Sequence, residues 1–394
     1  MNPMVMVSLL SLGCPDLFGT AVARMPDLNG DGVHEFVLTD GRLREKGPEG
    51  DPCLWILSGR DQRVVSRVAV HEWAGNPRSM RTPEGVGVLG SWGGNLRWNG
   101  ASGMSSREFD LRERRGSPVI VLPDISHDEF DDLLTFRDLP DAREVVALSG
   151  RDLAPLWRRA LPRDPGDCNA MLLPPEVGEE DGRVVIVHAS RPDGPSGIEM
   201  HILSSSTGEI IVSGTAPFEG VCDLSKTRWV PLAYTGNSIF QLVPLGDLDG
   251  DGHSDVLLGM EAFGEESRLI AVSSMTADVQ FRIDLPHFAK VIASVGDLSG
   301  DGLPDLVLSA WDSVQVRSGR DGTLLYSVTP RNGCWFGTGI AGIGDVDGDL
   351  AADFVVTASP PGVPDEEGWF VVVSGCDGTI LSRHQRKDYV TEDR

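Results

Sequence analysis

Lysine is scarce in this chain of 394 residues, and nearly all of its basic residues are arginine. Lys and Arg together number 34 against 59 Asp and Glu, a formal net charge of −25. Neutralising phosphates takes a basic patch, and no such run of Lys or Arg is present, which excludes a nucleic acid or an anionic membrane surface as partner. Long hydrophobic runs are missing too: no segment reaches the ~18 apolar residues of a spanning helix. Met4 to Leu12 is apolar but short, with no basic residue before it, and reads as a β-strand and not as a signal peptide. The six cysteines, Cys14, Cys53, Cys168, Cys222, Cys334 and Cys376, form no CxxC pair, which argues against a zinc site or a thioredoxin-type motif. They are spread too thinly for a small disulfide scaffold, and their pairing stays open. Also missing are a sustained 3.6-residue period, an HExxH, a GxSxG and a Walker motif. What is abundant is glycine, at 47 residues, within a chain that is 40 % hydrophobic and so able to build a core.

The glycines belong to repeats. Ser58-Gly59-Arg60-Asp61, Ser149-Gly150-Arg151-Asp152, Ser318-Gly319-Arg320-Asp321 and Ser374-Gly375-Cys376-Asp377 each follow one short apolar run and precede another. That pattern reads as a β-hairpin, with Gly and Asp supplying the turn conformation. Weaker copies at Ser102, Ser204 and Ser273 bring the count to seven, spaced 44 to 69 residues apart. Units of about 40–50 residues made of strands and turns have the size of propeller blades. The fold expected is all-β, a single seven-bladed β-propeller of four-stranded antiparallel blades. The blade spans expected are about 14–61, 62–115, 116–160, 165–215, 222–283, 287–329 and 333–385. Gly85, Gly87 and Gly90 match a dinucleotide fingerprint, but no helix follows, so they read as strand and loop glycines.

A second repeat carries chemistry. It has the form D-x-[DNS]-x-D-G-x-x-[DE] and is followed each time by a short apolar run. The loops place oxygen-bearing side chains at positions 1, 3, 5 and 9. In chain order these are Asp27, Asn29, Asp31 and Glu35; Asp124, Ser126, Asp128 and Asp132; Asp247, Asp249, Asp251 and Asp255; Asp297, Ser299, Asp301 and Asp305; and Asp345, Asp347, Asp349 and Asp353. Four such groups with a backbone carbonyl near position 7 suit the six to eight oxygen ligands of Ca²⁺. One copy alone would read as a solvated Asx turn. Five copies point to metal, because two like charges ~4 Å apart repel by roughly 4 kcal/mol at an effective dielectric near 20. Three to five Ca²⁺ sites are expected; Leu350 and Glu129 stand where the sixth-position glycine belongs in two of the loops. The loops are not EF-hands, since Leu38, Leu258, Leu308 or Val356 would fall at the twelfth position, where a bidentate Glu is required.

These residues resemble FG-GAP repeats, the blade unit of the integrin alpha-subunit β-propeller and of many bacterial relatives. Phe336-Gly337 opens the last blade, Asp345 to Asp353 forms its loop, and Ala358-Ser359-Pro360 stands where Gly-Ala-Pro belongs; Phe18-Gly19 precedes Asp27 likewise. The blades around 62–110 and 165–213 lack a recognisable loop. The resemblance implies a seven-bladed propeller, loop-bound structural Ca²⁺ and an extracytoplasmic setting. On it rests the expectation of a non-enzymatic, monomeric binding or adhesion module for a protein or glycan. The alternative is a propeller enzyme, a polysaccharide lyase or a quinoprotein-like dehydrogenase, for which no catalytic motif is present.

Overall fold

The computed structural model describes residues 21–40, 53–69, 75–92, 95–102, 106–110, 119–162, 168–173, 181–189, 198–216, 240–260, 267–285, 289, 291–310, 313–330, 335–359 and 368–389. Met4 to Leu12, Phe18-Gly19, Cys14, Cys222 and Cys334 lie outside them. Seven four-stranded antiparallel sheets, each a meander of consecutive strands, stand in a ring as a seven-bladed β-propeller. Blade 1 starts at Val22–Arg24 and ends with Val64–Ala69; blade 7 starts at Trp335–Gly344 and ends with Ile380–Gln385. The innermost strands of blades 2 to 6 are Gly75–Thr82, Ile120–Leu122, Cys168–Leu173, Phe240–Pro244 and Ile292–Gly296. Each innermost strand packs on its neighbours, and Val22–Arg24 closes the circle against Trp335–Gly344. Arg386–Asp388, a single 3₁₀ turn, is the one helical element among the described residues, and no helix there is long and apolar enough to cross a membrane.

The apolar runs exist because each middle strand is buried on both faces, where continuous hydrophobic sequence replaces alternation. Strand period sorts successive side chains between the two neighbouring blades. Leu54 and Ile56 pack toward Val88 of blade 2, whereas Cys53, Trp55 and Leu57 pack toward Phe370 and Val372 of blade 7. Phe370 and Val372 in turn face blade 1, while Val371 and Val373 face Val314 and Val316 of blade 6. The core is thus a circle of interblade clusters. Phe336 wedges into one of them, stacked on Trp369 at 5.6 Å. Gly337 beside it has φ 89°, and a Cβ there would lie 2.8 Å from Ser309 Cβ. Gly85, Gly87 and Gly90 lie in the strand Gly85–Trp92, as expected of strand glycines, and a Cβ on Gly87 would meet the Trp98 ring at 2.5 Å.

Since every blade is one contiguous segment, no described strand from one terminus completes a sheet begun at the other. Side chains carry the closure. Arg386 Nε donates to Asp40 at 3.2 and 3.1 Å across 346 residues of sequence, and both side chains are buried. Asp40 also accepts from Trp55 Nε1 at 3.0 Å. Tyr389 packs on Trp55 and Phe370, and His34 N donates to Ile343 O at 3.1 Å. Breaking a buried pair strands the remaining charge. Arg386→Ala is therefore expected to lose about 3–5 kcal/mol in denaturant unfolding, whereas Arg268→Ala, whose Asp284 partner is exposed, changes stability by less than about 1 kcal/mol.

His384 stacks on Phe370 at 5.0 Å, and its Nε2 is buried without a hydrogen-bond partner among the described residues. Burial lowers its pKa below the ordinary 6.5, with nearby Asp388 opposing. The unfolded chain then takes up a proton that the folded ring resists, so stability falls as pH drops below about 6.5. Melting temperatures between pH 7.5 and 5 test this: His384→Phe is expected to show a shallower acid-side loss than the parent protein.

Candidate functional site

All five acidic loops occupy the same place, joining the first strand of a blade to its second: 27–35, 124–132, 247–255, 297–305 and 345–353 in blades 1, 3, 5, 6 and 7. The first aspartate folds the loop. Asp297 Oδ1 accepts from Gly300 N at 2.7 Å and Asp301 N at 3.2 Å, and its Oδ2 accepts from Gly302 N at 2.8 Å. Asp247 repeats this with Gly250 and Gly252 at 2.7 and 2.8 Å. The Gly32 N–H and its neighbours hold the Asp27 carboxyl below the usual carboxylate range. The fifth-position aspartate caps position 7, as in His253 N to Asp251 at 2.8 Å. Positions 4 and 6 are both left-handed. Where glycine is absent the geometry persists, with Leu350 at φ 74°, Glu129 at φ 72° and His127 at φ 59°, each at a cost of roughly 1–2 kcal/mol. Leu350 is 92 % exposed, so its side chain adds no packing in return.

The ninth position has a role that the sequence pattern hides. Glu35, Asp132, Asp255, Asp305 and Asp353 are all fully buried. Asp305 Oδ2 accepts from Leu298 N at 2.8 Å and Ser299 N at 2.7 Å, while Oδ1 accepts from Gly319 N at 2.9 Å. The same bridge runs from Asp132 to Ile125 and Gly150, from Asp255 to Leu248 and Ser274, and from Asp353 to Val346 and Gly375. The ninth carboxylate therefore binds its own loop to the Ser-Gly-x-Asp turn of the same blade, and the two sequence repeats form one structural unit. Blade 1 is the exception: Glu35 accepts from Leu28 N, but its Oε1 is buried with no partner among the described residues.

The expectation that glycine supplies the turn conformation holds for Gly322 and Gly378, at φ 75° and 77°, whereas the glycine directly after the serine is there for proximity. A Cβ on Gly59, Gly150, Gly319 or Gly375 would sit 1.9–2.2 Å from the carbonyl oxygen at loop position 8. Left-handed backbone falls three residues later, at Gln62, Leu153, Gly322 and Gly378. The turn aspartate caps the chain, as Asp321 does for Thr323 N at 2.9 Å.

The donor sets, all oxygen, fit a hard divalent cation in two loops above all. Asp247, Asp249 and Asp251 offer carboxylate oxygens within 4.8 Å of one another, and so do Asp345, Asp347 and Asp353. These are the loops whose facing turn carries no arginine: Met275 and Cys376 stand in its place. In blade 6, Arg320 Nε pairs with Asp301 at 3.0 Å and its Nη2 donates to Asp301 O at 2.9 Å. In blade 1, Arg60 donates to Asp31 O at 2.9 Å. A guanidinium thus already stands beside Asp31 in the first loop and beside Asp301 in the fourth. Burial pushes Asp255 up to about 6 and raises Asp132, Asp353 and Glu35 as well, which is the strain that a bound cation relieves.

Blade 4 lacks the motif but keeps the bridge. Asp181 accepts from Ser204 Oγ at 2.5 Å, Ser205 Oγ at 2.7 Å and Ser206 N at 3.0 Å. Burial opposes its ionisation, and the serine donors outweigh that to lower its pKa. Its isolated position in sequence gave no hint of this. Asp305→Ala strands three N–H groups, the Gly319 one buried and the other two half-buried, and is expected to lose about 3 kcal/mol or more in denaturant unfolding, against less than about 1 kcal/mol for Ser299→Ala. Gly319→Ala is expected to destabilise about as much as Asp305→Ala, through its clash with Pro304 O.

No family model matches the chain, and no curated protein matches it. Solved structures do. BBS1N in complex with ARL6DN, soaked with mercury, is 13 % identical and covers 88 % of this chain and 92 % of that chain, with a TM-score of 0.51. The same complex soaked with lead is 14 % identical and covers 88 % and 90 %, with a TM-score of 0.52. At that identity the likeness is one of fold, the seven-bladed β-propeller, and the FG-GAP resemblance rests on the sequence motifs alone.

Proposed function

We propose that the chain is a non-enzymatic, protein-binding propeller of the FG-GAP type, working outside the cytoplasm, whose acidic loops hold Ca²⁺ as a structural ion. One observation carries this reading: the chemistry-bearing residues recur blade by blade at one topological point instead of converging on a single centre. A catalytic constellation is singular, whereas a set repeated five times stabilises the unit in which it repeats. The binding of a protein is supported by analogy with BBS1N, whose solved structures are complexes with ARL6DN. Carboxylate clusters open to solvent suit the weak sites of extracellular modules, filled at roughly 10⁻⁴–10⁻³ M Ca²⁺.

Within this reading Asp247, Asp249, Asp251 and Asp255, and Asp345, Asp347, Asp349 and Asp353, are the first ligand sets to fill, since no arginine competes there. Thermal melts in EGTA and in saturating Ca²⁺ test it. A ligand at 100 times its dissociation constant adds about 2.7 kcal/mol per site, so a rise of several degrees is expected. Asp249→Ala with Asp347→Ala is expected to remove most of that rise. An unchanged melting temperature with no Ca²⁺ retained in metal analysis overturns the metal reading.

A further inference from the structure

Blade 2 has a two-residue turn between Gly75–Thr82 and Gly85–Trp92, where blades 1 and 3 have the long loops 27–35 and 124–132. The short turn leaves a gap on the loop face of the ring, a cleft of about 570 Å³ between the three blades. Its floor is apolar, with Met25, Val86, Val121 and Leu122, and its polar lining is Arg24, His34, Ser79, Arg81 and Asp131. The size and the mixture of an apolar floor with a few polar groups are those of a small-ligand site.

The two arginines are the informative residues. Neither guanidinium makes a hydrogen bond or ion pair among the described residues, in a protein with 59 acidic side chains. Both side chains reach solvent, and the packing around Arg24 lowers its pKa. Asp131 shares the cleft: its Oδ2 accepts the Arg81 backbone N–H at 2.6 Å, and burial raises its pKa while the Arg81 N–H and charge oppose that rise. His34 Nδ1 is buried and without a partner among the described residues. A guanidinium fork matches a planar carboxylate in two parallel hydrogen bonds. Two guanidiniums and one carboxylate line the cleft, and Asp27, Asp124 and Asp132 act on its His34 and Asp131 from the flanking loops, a balance that suits a monoanion and not a dianion.

We propose that this cleft binds a carboxylate borne on an apolar body, with Arg24 and Arg81 holding the carboxylate and the Met25–Val86–Leu122 floor taking the apolar part. The site goes beyond the loop chemistry, because neither arginine is a loop carboxylate and the cleft exists whether or not the loops take metal.

Isothermal titration of the full chain, in EGTA and in Ca²⁺, tests the proposal with octanoate, octanol, octyl phosphate and N-acetyl-Leu-Leu as its free acid and its amide. Saturable binding of at least one carboxylate is expected, with octanol and the amide at least tenfold weaker. The double variant Arg24→Gln/Arg81→Gln is expected to lose at least tenfold in affinity while melting within about 2 °C of the parent, because both side chains are exposed and neither makes a hydrogen bond or ion pair among the described residues. Octanoate alone binding assigns a free acid, and the peptide acid binding assigns a chain end. No saturable carboxylate binding, equal binding by the double variant, or tighter binding of octyl phosphate overturns the site. Failure of the Ca²⁺ melts leaves this titration unaffected, so the two readings fail separately.

Discussion

A carboxylate sealed from water, with one oxygen on the N–H of its own loop and the other on the N–H of a turn two strands away, holds each typical blade together at its loop end. Burying an ionised carboxylate is prohibitive unless donors replace its hydration. Asp305 meets that demand with Leu298 N, Ser299 N and Gly319 N. The demand then dictates sequence elsewhere. The turn must come close enough to donate, so position 319 tolerates no Cβ against Pro304 O, and Ser-Gly-x-Asp follows. Blade 4 reaches the same end by other means, with serine hydroxyls on Asp181.

Between blades the forces are different in kind. Each sheet buries both faces against its neighbours, so stability passes around the ring through apolar clusters, and it ends where the first blade meets the last. There the ring relies on a buried ion pair between Arg386 and Asp40, together with the aromatic packing of Phe370, Tyr389 and Trp55. The charge of −25 is concentrated at the opposite extreme of burial, in solvent-facing loops. Arginine answers it in blades 1 and 6, whereas in blades 5 and 7 the carboxylates face only neutral donors among the described residues, such as Gln280 on Asp249 and Ser374 on Asp349. The same scarcity of positive charge makes Arg24 and Arg81 stand out, two arginines in one cleft with no ion pair among the described residues.

Fold class and blade number were legible because turns and loops recur with identical residues at fixed places; Ser58, Ser149, Ser318 and Ser374 mark the same bend in four sheets. The candidate loop residues were legible for the same reason. The purpose of the ninth residue was not, because a ligand and a buried bridge both demand Asp at that spacing. Nor was the purpose of the turn glycine, since a glycine kept for close approach looks the same as one kept for positive φ. Asp40 and Arg386 belong to no repeat, and their meeting across 346 residues is a product of ring closure that local sequence does not carry. The cleft was invisible for an opposite reason: it comes from what blade 2 leaves out.

Amide hydrogen exchange at the Ser-Gly-x-Asp turns tests the ninth-position bridge most directly. Turn amides ordinarily exchange quickly, whereas a donor locked to a buried carboxylate exchanges only when the blade opens. The Gly150, Ser274, Gly319 and Gly375 amides should be protected as strongly as the middle strands of their blades, while the Gly59 amide, which makes no such bond to Glu35, exchanges faster. Exchange of all five at the rate of open turns would contradict the bridge and, with it, the unity of the two repeats.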